Sequence, residues 1–373
     1  MRGGERCLEA FLEIFPEADI YTAFCNPGEM TPIIRERNIQ SSFLNELPRS
    51  QSYHRYLLPV YPRAAKSLGR KLQKAHDKEK YDLVISISHC LAKNVPVPKG
   101  VFHLCYCLTP MRYLWDQYDN YFGKRKIEPI ARQVVRGLRQ WDVAGIDNVD
   151  AFVGISHFVA ERIKRVYRRD ASVIYPPVRS DWITPRTKQE KGTSFLCASA
   201  FVPYKRIDAV VEAFNLLPDE RLLVVGDGPE ARRLRNLAGD NVAFLGRVSD
   251  QRLAQLYRSS RALLFAAEED FGMIPVEMQA AGRPVICLGK GGALETVVNS
   301  RENGTGIYFD ECTPEAIRRA IDEFSVLESN FTVDNCIKHA KKFGPDVFRE
   351  QLAHVLVEHG VLAGNAKEAL ATV

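Results

Sequence analysis

Long apolar runs are missing from this sequence. No stretch approaches the roughly 18 residues that a bilayer-spanning helix needs, so a chain built on membrane spans is excluded. Internal repeats and low-complexity tracts are missing too, which removes solenoid architectures. The net charge of +5 over 373 residues is modest and gives no reason to expect a nucleic-acid partner. Nine cysteines are present, but none has metal-ligand spacing. Cys105 and Cys107 stand one residue apart in an apolar strand pattern, where buried thiols are expected rather than zinc ligands. No signal-peptide pattern precedes the first charged residues, and the cysteine count is odd. A reducing, cytoplasmic setting is therefore expected. What remains is 46% hydrophobic and 26% charged, ordinary globular values, at a length that suits two domains.

The chain reads as α/β throughout. An apolar helix pattern runs through Cys7, Leu8, Phe11, Leu12 and Phe15, with strands expected at 18–24, 81–88, 102–109 and 151–155 and a short strand with its loop at 39–47. Residues 53–80 read as helical with a break at Pro59 to Pro62. They carry Arg55, Arg63, Lys66, Arg70, Lys71, Lys74, Lys78 and Lys80: either a solvated face or a basic surface for anionic lipid. A long helix is expected at 127–144, and Ser156 has the look of a helix cap. Pro176-Pro177 and the polar run 186–192 mark a linker. Beyond it, short continuous apolar strands (194–199, 221–226, 242–245, 262–267, 284–288, 306–309) alternate with helices. That pattern means a parallel sheet covered on both faces, with ligands at the carboxyl ends of the strands.

One stretch at that edge, EEDFGMIPVEMQAAG at 268–282, is the richest in chemistry. Glu269 and Glu277 lie eight residues apart, with a strand before them and a helix opening between them at Pro275. The free N–H groups of Gly272, Met273 and Ile274 would favour an anion there. The flanking carboxylates would accept hydroxyl hydrogen bonds. An anion with hydroxyls at both ends describes a sugar nucleotide. Acidic residues in a helix's first turn are otherwise ordinary partners of its dipole.

The stretch resembles the E-x7-E signature of retaining glycosyltransferases of family 4, which have two Rossmann-like domains (the GT-B architecture). The match continues through Arg283-Pro284-Val285-Ile286 and Gly291-Gly292-Ala293-Leu294-Glu295. Ala200-Phe-Val-Pro-Tyr-Lys205 resembles the family's phosphate-binding G-R-L-x-P-x-K, with Lys205 at the lysine position. Ala200 stands where many relatives carry arginine, so Arg206 is a candidate second phosphate contact. Val224-Val-Gly-Asp-Gly-Pro-Glu-Ala231 contains G-x-G-x-x-A. The strand after it ends Phe244-Leu-Gly-Arg247, without the carboxylate a nicotinamide cofactor's ribose wants. It resembles the family's V-G-D-G-P-E instead, and Gly246-Arg247-Val248 matches its base-pocket loop.

In the first half, Cys105-Tyr-Cys-Leu-Thr-Pro-Met-Arg-Tyr-Leu-Trp115, with His89 in Ser88-His-x-x-Ala-Lys93, resembles a subgroup typified by O-antigen mannosyltransferases. Leu108 stands where those relatives have histidine. Any role of that histidine is absent or passes to His89, His103 or His157. The sequence has no D-x-D, so the metal-dependent single-domain glycosyltransferase design is not expected.

The resemblance implies two Rossmann-like domains. One occupies 1–178 on the acceptor side, and one occupies 193–340 for the nucleotide sugar, after a linker at 179–192. A terminal helix and tail, 341–373, cross back to the first domain. It implies metal-independent, cofactor-free transfer of a hexose with retention, mannose from GDP-mannose by preference. The acceptor would be a saccharide or lipid-linked oligosaccharide in bacterial surface polysaccharide synthesis, with no nucleic acid partner. The protein would be cytoplasmic; the basic 55–80 region is read first as a solvated face, with peripheral membrane contact as its alternative. Glu269 and Lys205 would be catalytic. Glu277, Gly272, Met273, Ile274, Arg206, Gly246, Arg247 and Val248 would bind the donor, and Gly3, Gly4 and Arg112 would face the acceptor. The rivals are a sugar-nucleotide-binding relative without turnover and a hydrolytic or epimerising one. Relatives also open with a strand before Arg-Gly-Gly-Glu, whereas here Met1 stands directly before that loop. The expectation is that the strand is absent and that an upstream extension would improve folding.

Overall fold

The computed structural model describes residues 3–48, 53–116, 128–187 and 192–363. Met1, Arg2, Ile127, linker positions 188–191, the tail from 364 and the side chain of Arg55 lie outside the described residues. The chain divides into two compact units, Met1–Tyr175 with Phe348–Val373, and Pro176–Val347.

In the first unit, β1 (Ile20–Thr22) pairs with β2 (Ile39–Ser41) in a parallel two-stranded sheet. Strands β3 (Leu83–Ser88), β4 (Phe102–Cys107), β5 (Ala151–Gly154) and β6 (Ser172–Val173) form a parallel sheet in that order. Helices α1 (Gly3–Ile14), α2 (Pro32–Arg35), α3 (Tyr61–Lys78), α4 (Glu128–Ala144) and α5 (His157–Tyr167) connect and cover them. The expected break before α3 is a 3₁₀ turn, His54–Val60, and Pro62 falls in the first turn of α3, where a missing N–H costs nothing. Ser156 caps α5, its Oγ accepting the Val159 N–H at 3.1 Å. One reading needs correction: Gly3 and Gly4 open α1 rather than sitting in a loop. Glycine allows this close packing, since a Cβ on Gly4 would stand 3.0 Å from Leu108 Cδ1.

The second unit holds six parallel strands: β7 (Ser194–Ala198), β8 (Leu222–Val225), β9 (Val242–Gly246), β10 (Ser260–Phe265), β11 (Val285–Leu288) and β12 (Gly306–Phe309). Its helices are α6 (Ile207–Asn215), α7 (Ala231–Leu237), α8 (Asp250–Ser259), α9 (Met273–Ala280), α10 (Ala293–Thr296), α11 (Pro314–Leu327) and α12 (Val333–Ala340). The spatial order is β12-β11-β10-β7-β8-β9. The chain starts centrally at β7, walks to one edge, then returns to β10 on the other side of β7. That reversal is a topological switch point, where such sheets open a crevice at their carboxyl ends. Right-handed crossovers put α8 and α9 on one face, because both connections run the same way along the sheet. Phe195, Phe214 and Phe324 meet edge to face in the core of the other.

A second correction concerns α9, which starts at Met273 rather than Pro275. Proline in its third position is tolerated because the first four helical N–H groups have no intrahelical partner. The sequence reading did not anticipate α12, whose short apolar pattern is capped by Thr332. The last helix, α13 (Pro345–Glu358), joins the first unit from Phe348 on. There the Phe348 ring meets Phe11 and Tyr106 at 5.2 and 5.8 Å.

Candidate functional site

The switch point of the second unit is built by the loops after β7 and β10. Ala200 to Lys205 follow β7, and Ala266 to Gly272 follow β10. Strands β7 and β10 are hydrogen-bonded neighbours, so their loops leave the sheet side by side. The Lys205 ammonium pairs with Glu269 Oε1, joining the two loops across the crevice. Both side chains are largely covered, 14% and 24% exposed, so the pair is screened less than a surface ion pair would be. The Tyr204 ring lies 5.4 Å from the same ammonium.

Glycines set the shape of this edge. Gly272 caps α9 at φ 93°, a left-handed conformation that turns the loop into the helix start. The N–H groups of Met273 and Ile274 then open α9 beside Glu269, ahead of the helical ladder. Gly292 N–H donates to the Glu269 carbonyl at 2.8 Å, and a Cβ there would lie 2.4 Å from Phe271 Cα. The Gly291-Gly292 pair is therefore what lets the loop after β11 clamp the Glu269 loop. The glycines of Val224–Ala231 have a similar explanation. A Cβ on Gly226 would meet the Ser199 carbonyl at 1.8 Å, and one on Gly228 would meet the Phe201 carbonyl at 2.5 Å. They serve close packing of one loop on another.

Glu277 lies one turn into α9 and is only 3% exposed, with Oε2 accepting from the Tyr257 hydroxyl at 2.8 Å. Arg206 points elsewhere. Its guanidinium reaches Asp208 and the Cys312 carbonyl, at 3.4 and 3.1 Å, while its own φ of 51° turns the chain into α6. The structure thus joins Lys205 to Glu269 and does not bring Arg206 to them. Gly246 closes β9 at φ 68°, and Arg247 stands 83% exposed with Nε 3.8 Å from Asp227; Val248 follows, half-buried.

In the first unit, Arg112 sits in the turn after Met111, and Leu108 packs on Gly4 as described. A buried network that the sequence did not reveal holds this turn. Trp115 Nε1 donates to Asp142 Oδ2 at 2.8 Å, Arg139 Nε donates to the Leu114 carbonyl at 2.7 Å, and Lys93 pairs with Asp142 at 2.9 Å. Nothing local in the sequence marks Lys93 for burial, because its partner lies on another helix 49 residues away. Of the three histidines, His89 and His157 are exposed at the carboxyl edge of the sheet. His103 is buried, bonded to Ser86 Oγ at 2.9 Å and to the Asn148 carbonyl. Burial pushes its pKa down to about 4, and burial does the same to His339 in the second unit. Both are neutral when folded and charge more readily when unfolded. Stability should therefore be full above about pH 6.5 and fall as pH drops toward 4, measurable as the urea midpoint against pH. A flat midpoint from pH 7 to pH 4.5 would contradict this.

On α3, Arg63, Lys66, Arg70, Lys71, Lys74 and Lys78 form an exposed basic face, while Ala64, Ala65, Leu68 and Leu72 pack inward. Lys71 also donates to the Ser41 carbonyl at 2.8 Å. Among the described residues, no helix is long and apolar enough to cross a membrane.

A lysine–glutamate pair at the strands' carboxyl edge, a helix start whose cap lies three residues beyond that glutamate and a buried carboxylate one turn into the helix are groups that suit a phosphorylated polyol. Residues 178–343 match the family Glycosyl transferases group 1. This group 1 segment contains the Lys205–Glu269 pair and Glu277. Over 233 residues the chain is 29% identical to a D-inositol 3-phosphate glycosyltransferase of Mycobacteroides abscessus, covering 56% of this chain and 51% of that one. Over 144 residues it is 33% identical to an O-antigen chain mannosyltransferase of Salmonella typhimurium, covering 35% and 40%. The chain spans about half the length of the curated relatives it matches. The structure of a sucrose-phosphate synthase from Thermosynechococcus elongatus superimposes with a TM-score of 0.71 at 19% identity, covering 95% of this chain and 92% of that one. That likeness shows the fold, α/β with parallel sheets in the GT-B architecture.

Proposed function

We propose that this chain is a retaining hexosyltransferase that uses a nucleoside-diphosphate sugar. The observation that carries the reading is the Lys205–Glu269 pair at the switch point, beside the start of α9. Lys205 and the N–H groups of Gly272, Met273 and Ile274 hold the diphosphate, and charge growing on the leaving phosphate is met without a metal. Glu269 accepts from hydroxyls of the donor sugar, Glu277 from the ribose, and the Gly246-Arg247-Val248 loop lines the base. Gly3, Gly4 and Arg112 face the acceptor. GDP-mannose is the favoured donor, supported by likeness to a mannosyltransferase. A saccharide or lipid-linked acceptor in surface polysaccharide synthesis is proposed with it, and the same likeness supports that choice. The basic face of α3 gives peripheral contact with anionic lipid.

A second reading, donor binding without turnover, draws on Arg206 being engaged with Asp208 and the Cys312 carbonyl, because Ala200 leaves no other arginine in this loop. Nucleotide release from the donor, with and without acceptor lipid extract, separates the two. The test of the site itself is calorimetry with GDP and UDP. Glu277→Ala should weaken the better ligand by about 1–3 kcal/mol, or roughly five- to 150-fold, since ribose hydroxyls lose their acceptor. Unchanged affinity would remove Glu277 from the ribose.

A further inference from the structure

The fully buried Tyr257 matches no motif, yet its hydroxyl lies 2.8 Å from Glu277 Oε2. We infer that Tyr257 is a positioning residue, aiming the Glu277 carboxylate so that the site discriminates ribose from deoxyribose. The inference rests on the ribose role proposed for Glu277.

Packing alone does not account for a tyrosine here. The ring is enclosed, with Trp182 6.2 Å away, and phenylalanine would fill the same volume. A hydroxyl at zero exposure is costly unless bonded, and here it donates to a carboxylate. The side chain of Glu277 has several rotatable bonds and two equivalent oxygens. Holding Oε2 fixes the plane of the group, so less rotamer freedom remains to be lost when a sugar hydroxyl arrives. The fold supplies the contact, because α8 and α9 lie on one face of the sheet on either side of β10. The tyrosine therefore acts on substrate through the glutamate.

The experiment is calorimetry of GDP, UDP and their 2′-deoxy counterparts on the full chain and on Tyr257→Phe, Glu277→Gln and the double variant. The full chain should bind the ribonucleotide more tightly than its deoxy form. Tyr257→Phe should narrow that ratio by roughly two- to tenfold, and should narrow it no further in the Glu277→Gln background. Should Tyr257→Phe fold poorly, Glu277→Asp shortens the carboxylate away from the hydroxyl and should narrow the ratio likewise. Equal weakening of both forms by Tyr257→Phe would reduce Tyr257 to a packing residue and overturn the inference. If Glu277→Gln leaves the ratio intact, the ribose reading fails, and the inference fails with it.

Discussion

Lys205→Ala should lower kcat by roughly a hundred- to a thousandfold while the donor KM stays within a few-fold. The ammonium is held by Glu269, from the loop after the neighbouring strand. On the proposed reading, a diphosphate entering beside the start of α9 would give it a second anion, whose charge would grow as the glycosidic bond breaks. An interaction that strengthens in the transition state lowers the barrier more than it tightens binding. Partial burial, at 14% exposure, keeps water from doing the same work. Steady-state release of nucleoside diphosphate is the measurement. A kcat unchanged within twofold would mean that Lys205 serves only to anchor the Glu269 loop.

Asp142→Ala should cost the first unit about 3–5 kcal/mol. Lys93 and Asp142 are 2% and 0% exposed, and removing the carboxylate strands a buried ammonium. It also takes the acceptor from Trp115 Nε1 and from the Tyr167 hydroxyl, at 2.8 and 3.0 Å. Lys93 would keep Asn94 Oδ1 at 2.7 Å, the main-chain carbonyl of residue 142 and the Tyr167 ring at 4.5 Å, none of which neutralises it. Urea unfolding followed by tryptophan fluorescence reads this directly, since Trp115 and Trp141 lie in this unit. The double change Lys93→Met with Asp142→Leu should recover the part of the loss that comes from the stranded ammonium, because no charge is left behind. A loss under about 1 kcal/mol for Asp142→Ala alone would show that the lysine reaches water by relaxing. The network also secures Trp115 and Leu114, so Arg112 should lose its place along with the stability.

Much of the second unit was legible because each strand there is a continuous apolar run. Buried parallel strands need no alternation, and helices at regular spacing separate them. Gly306–Phe309 was read with its observed bounds, and the other five expected strands shift at their ends by one or two residues. The Gly272 turn, the helix after it and the position of Lys205 at a strand's carboxyl edge follow from local residue types. Local signals failed where a partner is remote. Tyr257 reads as one more apolar residue on the buried stripe of α8 with Leu256, and only the fold shows that its hydroxyl meets Glu277. Lys93 and Asp142 carry no local sign of their burial, since a charge bears no mark of the partner that will bury it.

The sequence by itself determined that this chain is an α/β protein with a parallel-sheet second half, and that Lys205, Glu269 and Glu277 are its candidate donor residues. The fold conclusion rests on short-range facts, periodicity and turn residues; the three site residues rest also on the family resemblance of the motifs that hold them. Tertiary structure decided which of these groups meet. The order β12-β11-β10-β7-β8-β9 sets the loops after β7 and β10 side by side, so Lys205 faces Glu269 across 64 residues of chain. Arg206, one residue on, is turned away by a left-handed backbone to Asp208. Side-chain direction at a loop's end depends on a single φ and on what lies opposite, and neither is written in the residues themselves.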